Sequence, residues 1–369
     1  MALSKIDVAN MVEKQMPQAN VADNVNFRNI IINGDMSIAQ RSTSETNVST
    51  GYRTCDRWRI SRGAGTITMS QATDAPTGSG FVKSLKFLEA GSGSSPSAGD
   101  ANIITQRIEG QNLQYLLKGT SSAKSLTLSF WIKASVTGTY IANLTDDDNS
   151  RFISKAYTVS SANTWEYKTV TFEGDTTGAF ANDNGRSLDI NLYFTAGSNF
   201  TSGTLNTTWN SYTAANQAVG QVHALASAND YVQWTGVQLE AGQTASDFEF
   251  LPVDVNRFRC YRYYYQYVGG AVNLPIGLGT YFSSSQVTGV LYPPNRPFRA
   301  TPTLDIDTGT NYYYAVRNNG TASFDNFILD KTSPELLEIR NTSTSGNAGD
   351  AAFLRTNSAS ARMALDAEL

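Results

Sequence analysis

The sequence predicts an all-β chain: an antiparallel β-sandwich of the jelly-roll kind, followed by a smaller C-terminal β domain. Three observations carry that expectation. Charged residues make up only 16% of the 369 positions, against about 25% in an ordinary soluble domain. Gly, Ser, Thr and Asn fill the difference, as many short strands joined by polar turns require. Aromatic residues, at 11%, give those strands bulk to bury, and several segments alternate apolar and polar residues with a period of two. The length suits two or three domains.

Residues 1–26 differ from the rest. They are polar, are interrupted by Pro17 and have little periodicity beyond Ile6, Val8 and Val12. They cannot form a core alone and are expected to be an arm that orders against another subunit or an anchoring protein, or else a frayed terminus. The sandwich is expected over residues 27–253. "FRNIIINGDMSIAQRS" starts it, with an apolar run from Ile30 to Ile32 as a strand and Asn33-Gly34 as a turn. "CDRWRIS" places Trp58 and Ile60 on one side, and Arg57 and Arg59 on the other. With Arg62, these arginines are expected on a solvated face. "EGQNLQYLLKG" reads as one short helix, with Leu113, Leu116 and Leu117 on one stripe and Gly119 as its stop.

The clearest strand is "SLTLSFWIKAS", where Leu126, Leu128, Phe130 and Ile132 face one way. "TWEYKTVTF" is rich in β-branched and aromatic residues, and "SLDINLYF" aligns Leu188, Ile190, Leu192 and Phe194. In "YVQWTGVQLEAG", Val232 and Trp234 share one parity, while Val237 and Leu239 share the other. The phase changes at Gly236, which predicts a β-bulge there.

The second domain is expected over residues 254–369. "DVNRFRCYRYY" begins with Asp254 as N-cap and reads as one or two helical turns. The strands that follow are punctuated by Pro293, Pro294, Pro297 and Pro302. Between the domains, Phe258, Tyr261, Tyr263, Tyr264, Tyr265 and Tyr267 concentrate aromatic surface on a short ribbon. Such rings are expected to line a seam, between subunits or between the two domains of one chain.

Several function classes lack support. One histidine, His223, leaves little room for histidine-dependent triads or zinc sites, and no GxxxxGK[ST], GxGxxG or HExxH motif occurs. A net charge of −4 gives no reason to expect nucleic acid or an anionic membrane as partner. No apolar run approaches the ~18 residues of a membrane span. The start of the chain lacks the pattern of a signal peptide. Cys55 and Cys260 are too few and too far apart for a disulfide framework, so a reducing compartment fits.

Candidate sites are sparse. Asp146, Asp147 and Asp148 follow a strand in a probable turn of the kind that holds calcium, although a solvated turn is the commoner use of such a run. Asp175, Asp183 and Asn184 form a similar loop. Sugar binding needs an exposed ring to stack on a pyranose face. Trp209 and Tyr212, in a loop of small polar residues, are candidates for that role, with Trp131 opposite the Leu128/Phe130 stripe as a third. Alternatively, Trp209 plugs the sandwich edge and Trp131 packs under loops. No spacing singles out the carboxylate pair that glycoside hydrolysis uses, so an enzyme is not expected.

The ordered series "NIIINGDMSIAQRST", "YRTCDRWRIS", "QRIEGQNLQYLLKGTSSAKSLTLSFWIKAS", "WTGVQLEAGQTASDFEF", "RCYRYYYQY" and "RPFRATPTLDI" resembles tail-fibre and related appendage proteins of tailed bacteriophages, of the marine and cyanobacterial type. The resemblance runs from residue 28 to about residue 305. It implies a carbohydrate-binding-module-like jelly roll, a homotrimer knitted by the C-terminal β domain of residues 254–369, and a place on the virion after synthesis in the host bacterial cytoplasm. It also implies host cell-surface polysaccharide as ligand, another virion protein as the partner of residues 1–26, and no cofactor beyond a conceivable calcium ion. A structural adaptor that binds only virion proteins, and a polysaccharide depolymerase, are the competing functions.

Overall fold

The computed structural model describes residues 27–93, 95–294 and 297–369; the arm expected at residues 1–26 lies outside them. The alternating segments pair into two antiparallel sheets. A six-stranded front sheet runs in the order Ser44–Glu45, Ile67–Ala72, Ser84–Glu89, Tyr231–Ala241, Leu126–Ala134 and Glu166–Phe172. A seven-stranded back sheet runs Asn210–Ser211, Arg151–Val159, Gly138–Asp146, Arg186–Ala196, Ala101–Glu109, Arg59–Ser61 and Gly51–Tyr52. Leu128, Phe130 and Ile132 of the front sheet and Leu188, Ile190, Leu192 and Phe194 of the back sheet are fully buried in one core. The all-β sandwich is thus built on the residues whose alternation predicts it.

The bulge falls where the phase change predicts it. The pairing of Tyr231–Ala241 with Leu126–Ala134 slips between Thr235 and Gln238, and Gly236 has a φ of +61°. Val232, Trp234, Val237 and Leu239 are consequently all buried. A Cβ at position 236 would lie 2.5 Å from the Phe81 ring. Glycine is therefore required there for space as well as for φ.

Two local expectations are corrected. Ile30–Ile32 is buried but forms no strand: the Ile32 amide donates to the Gln106 side chain at 2.7 Å, and the Gln106 amide returns a bond to the Ile32 carbonyl at 2.9 Å. A buried glutamine thus does what a neighbouring strand would do. The expected helix after Glu109 is two 3₁₀ turns, Gly110–Asn112 and Gln114–Leu116. Leu117 itself takes the left-handed conformation, with φ 55°, and is 44% exposed. The apolar stripe therefore ends at Leu116, before Gly119.

A second core forms between two further sheets. Tyr264–Gly269, Arg362–Asp366 and Thr303–Ile306 make a three-stranded sheet, with Arg362–Asp366 in the middle. It packs on a seven-stranded sheet ordered Gly320–Phe324, Tyr313–Arg317, Ala351–Thr356, Pro275–Tyr281, Val287–Leu291, Leu337–Asn341 and Ile328–Thr332. The helix Val253–Tyr261 leads into this unit. Its N-cap is Pro252 rather than Asp254, which lies in the first turn.

The tyrosine ribbon divides between inside and outside. Tyr263 and Tyr264 are buried within the chain. The Tyr263 ring lies 3.4 Å from the Arg57 guanidinium, and its hydroxyl donates to Glu109 at 2.5 Å. Tyr264 sits under Arg41 at 3.6 Å, donates to Asp305 and accepts from Arg362. These two rings join the sandwich to the C-terminal unit and are hidden without a second copy of the chain. Phe258, Tyr261, Tyr265 and Tyr267 instead form an edge-to-face ladder, with successive centroids 5.7, 4.7 and 5.7 Å apart, partly open to solvent.

The junction also corrects the reading of Arg57. It is fully buried, and its charge is met by Glu368. Arg41 reaches Asp366 and Glu368, and Arg262 pairs with Glu109 at 2.7 Å. Cys55 and Cys260 are buried free thiols. Burial pushes both well above the ordinary thiol range, so they are inert.

Candidate functional site: an aromatic cleft on the front sheet

The inward parity of Leu128, Phe130 and Ile132 forces Ser129, Trp131 and Lys133 onto the outer face of the front sheet. Tyr167 is the register partner of Trp131 on the neighbouring strand, and the two rings lie 5.4 Å apart. The facing wall is a cluster of Phe81, Phe248 and Phe250, with mutual centroid distances of 4.9 to 5.0 Å. Gly236 lies in the floor. Ser79, Ser129, Ser246 and Asp247 add polar edges to a cleft of about 520 Å³.

Local sequence explains the wall. In "SDFEF", Phe248 and Phe250 line the cleft while the carboxylate of Glu249 between them turns to the start of the sandwich. Glu249 accepts from the backbone amides of Phe27 and Asn29 at 3.1 and 2.9 Å. Gln238 accepts the Glu249 amide at 2.8 Å, and Glu240 holds the Ser246 amide and hydroxyl. These straps fix an otherwise irregular segment against the sheet. Tyr167 and Phe250 remain 45% and 52% exposed.

One pleat further along the same face lies a row of donors. Gln233 is the register partner of both Lys86 and Lys133, so the three side chains cross three adjacent strands. Asp74 accepts from Lys133 at 2.8 Å, from Gln233 at 2.6 Å and from the Trp165 indole at 3.1 Å. Burial works to raise its pKa, but these bonds prevail and hold the carboxyl below its usual range. Lys86 lies 4.4 Å from the Tyr231 ring centroid. The face therefore sets half-buried Trp131 and exposed Tyr167 beside the partly exposed ammonium groups of Lys86 and Lys133, while Gln233 is buried and braces Asp74.

The structure does not bring the three ring candidates together. Trp131 lines this cleft. Trp209 packs half-buried on the sandwich core, and its indole donates to the Glu173 carbonyl at 2.7 Å. That contact makes it an edge plug rather than a free platform. Tyr212 is 51% exposed at the far edge of the back sheet, edge-on to Phe152 at 5.9 Å.

The aspartate run also diverges. Asp146 is buried on the Lys118 ammonium, Asp147 pairs with Arg186, and Asp148 accepts the Ala181 amide. Asp175 is likewise taken by Arg151 and Lys118. Lysine and arginine groups thus supply the positive charge that calcium would bring. Among the described residues, no group of three or more His, Cys, Asp or Glu is placed to hold a metal ion. No helix among them is long and apolar enough to cross a membrane.

Sequence reasoning missed Tyr167, Phe81, Phe248 and Phe250. The parity of "DFEF" was the available signal for the two last-named rings. Tyr167 and Phe81 reach the cleft only through long-range pairing.

No family model and no curated protein matches the chain. Solved structures do. Over 58% of its length the chain is similar to the enzymatically active domain of bacteriophage CBA120 tailspike protein 4, with 15% identity and a TM-score of 0.32. It spans 22% of that tailspike chain. It is also similar to the module TmCBM61, solved with β-1,4-galactotriose, at 12% identity and TM-score 0.30, covering 58% of this chain and 99% of that one. A family 11 carbohydrate-binding module from Clostridium thermocellum, in complex with a β-1,3-1,4-mixed-linked tetrasaccharide, has 9% identity and TM-score 0.28, covering 55% and 98%. Scores of this size fix neither function nor ligand.

Proposed function

We propose that the chain is a non-enzymatic, glycan-binding appendage subunit of a virion, and that the cleft around Trp131 and Tyr167 holds a host-surface sugar. The observation that carries this reading is the pairing of the Trp131 and Tyr167 rings with the Lys86 and Lys133 ammonium groups one pleat away on one sheet face. An aromatic ring accepts the C–H face of a pyranose, and N–H donors one pleat away suit its hydroxyls. A hydroxyl-rich, largely uncharged oligosaccharide is the ligand class that uses both features. Residues 1–26 would anchor the subunit to another virion protein. Adhesion would come from several weak sites acting together.

The non-catalytic part of the reading rests on the acid chemistry of the cleft. Glycoside hydrolysis uses a pair of carboxyl groups across the sugar, and among the described residues Asp247 alone supplies one to the lining of the cleft. A panel of immobilised bacterial glycans tests the proposal. The wild-type chain is expected to bind a subset of them, and Trp131→Ala to lose at least about tenfold in affinity with its melting temperature unchanged. A wild-type chain that binds no glycan would overturn the reading. Release of reducing ends from a bound polysaccharide would overturn its non-enzymatic half.

A further inference from the structure

The C-terminal seven-stranded sheet buries only one of its faces. Tyr313, Leu354, Tyr281, Val287 and Leu337 point into the second core. The opposite parity carries an apolar row across four adjacent strands. Val316 is the register partner of Phe353, and Phe353 of Leu278. Val290 stands beside Leu278, one step along from the Gly279–Gly289 pair. Phe353 is 56% and Leu278 67% exposed. The row itself contains no hydrogen-bonding side chain; Tyr314 with Arg355 on one side and Thr280 with Thr288 on the other stand one pleat away, an apolar centre with a polar rim as in a protein interface.

Charge distinguishes what covers this row. Glu338, the register partner of Val290, sits at one end. Arg355 lies on the Phe353 strand, two residues along and therefore on the same face. Neighbouring Arg317 and Arg340 are taken by Asp350 and Asp330. Glu338 and Arg355 have no ion-pair partner among the described residues. One unpaired charge of each sign beside one apolar row makes a surface that complements a copy of itself.

Size sets a condition on such a contact. Strand spacings of ~4.8 Å and rises of ~3.3 Å give seven five-residue strands a face of roughly 30 by 17 Å, on the order of 500 Å². A stable contact takes about 800 Å² from each partner, so most of the face and its flanking loops must take part. Those loops continue the outward alternation with Phe282, 76% exposed, and Tyr292, 61% exposed.

We infer that this face is where two copies of the chain meet, with Leu278 and Phe353 at the centre and Arg355 of each copy paired to Glu338 of the other. The inference deepens the multivalent part of the proposed function, because association places several glycan clefts on one particle. It stands or falls apart from the cleft: a monomer that binds glycan leaves the cleft reading intact, and an oligomer that binds none leaves this surface intact.

Light scattering on the full chain, from about 1 to 100 µM, tests it. The wild type is expected at a multiple of 40.0 kDa, and Leu278→Asp and Phe353→Asp each to weaken association at least about tenfold. Arg355→Glu and Glu338→Arg are each expected to weaken it, and the double swap to restore it, which separates a lost contact from a misfolded variant. A wild-type monomer across that range would overturn the inference. So would an oligomer that survives Leu278→Asp and Phe353→Asp, or a double swap no better than its parents.

Discussion

Two sheet faces are left open by the described residues, and they are built differently. The outer face of the front sheet sets half-buried Trp131 and exposed Tyr167 beside the ammonium groups of Lys86 and Lys133. The outer face of the C-terminal sheet sets Leu278 and Phe353 beside aliphatic neighbours, with charge only at its rim. Apolar area is exposed on both, so area alone does not say what covers them. What differs is the centre: paired rings beside the Lys86 and Lys133 ammonium groups on the first, an unbroken apolar row with a polar rim on the second. The first face suits a hydroxylated ligand, and the second a protein surface.

The largest expected effect comes from removing the first face altogether. Gly236→Val puts a β-branched side chain at a positive φ and into the Phe81 ring. It is expected to cost about 3 kcal/mol or more of folding stability and to abolish glycan binding, as read by chemical denaturation and by the glycan panel.

The junction between the two units comes next. Glu109→Gln leaves Arg262 without its carboxylate and is expected to cost about 1–3 kcal/mol at neutral pH. The pH dependence has a defined sign. Burial opposes ionisation of Glu109, but the bonds from Arg262 and Tyr263 win and hold its pKa below the usual 4.5. The stability it contributes is therefore complete above about pH 4.5 and is lost as pH falls through the lowered value. Glu109→Gln should flatten that acid limb of a stability-versus-pH curve; an unchanged limb would mean that other groups set it. Asp56 acts the other way. Burial pushes it up to about 6, against the bonds from Gln40, so its contribution falls as pH rises from about 4 through 6. Asp56→Asn removes that fall.

A smaller, crossed effect sharpens the comparison itself. Trp131→Ala should lower glycan affinity at least about tenfold and leave the solution mass alone, whereas Leu278→Asp should do the reverse. The smallest effect is expected for Asp74→Asn. It leaves Lys133 unbalanced beside the cleft and should change affinity for a neutral glycan by about threefold or less, while raising affinity for an acidic one. Titration calorimetry with both ligands would show the divergence.

Much of the sandwich was legible because strand alternation is local. Leu126 to Ile132 and Leu188 to Phe194 each declare their buried face over seven residues, and the parity switch at Gly236 declares a bulge. What was hidden depends on partners far along the chain. Arg57 reads as a surface residue until Glu368 meets it, and Tyr263 reads as exposed aromatic surface until Glu109 and Arg57 enclose it. Trp209 resembles a loop platform until the Glu173 carbonyl takes its indole. The cleft was half legible for the same reason. Trp131 follows from its own strand, but its walls arrive from Phe81, Tyr167, Phe248 and Phe250, which no local pattern unites.

The most direct test is a crystal structure of the chain with an oligosaccharide selected from the glycan panel. The account predicts a pyranose ring stacked on Trp131 or Tyr167, with its hydroxyls toward Lys133 and Lys86. A sugar bound elsewhere, against Tyr212 or along the back sheet, with the Trp131 cleft empty, would contradict it.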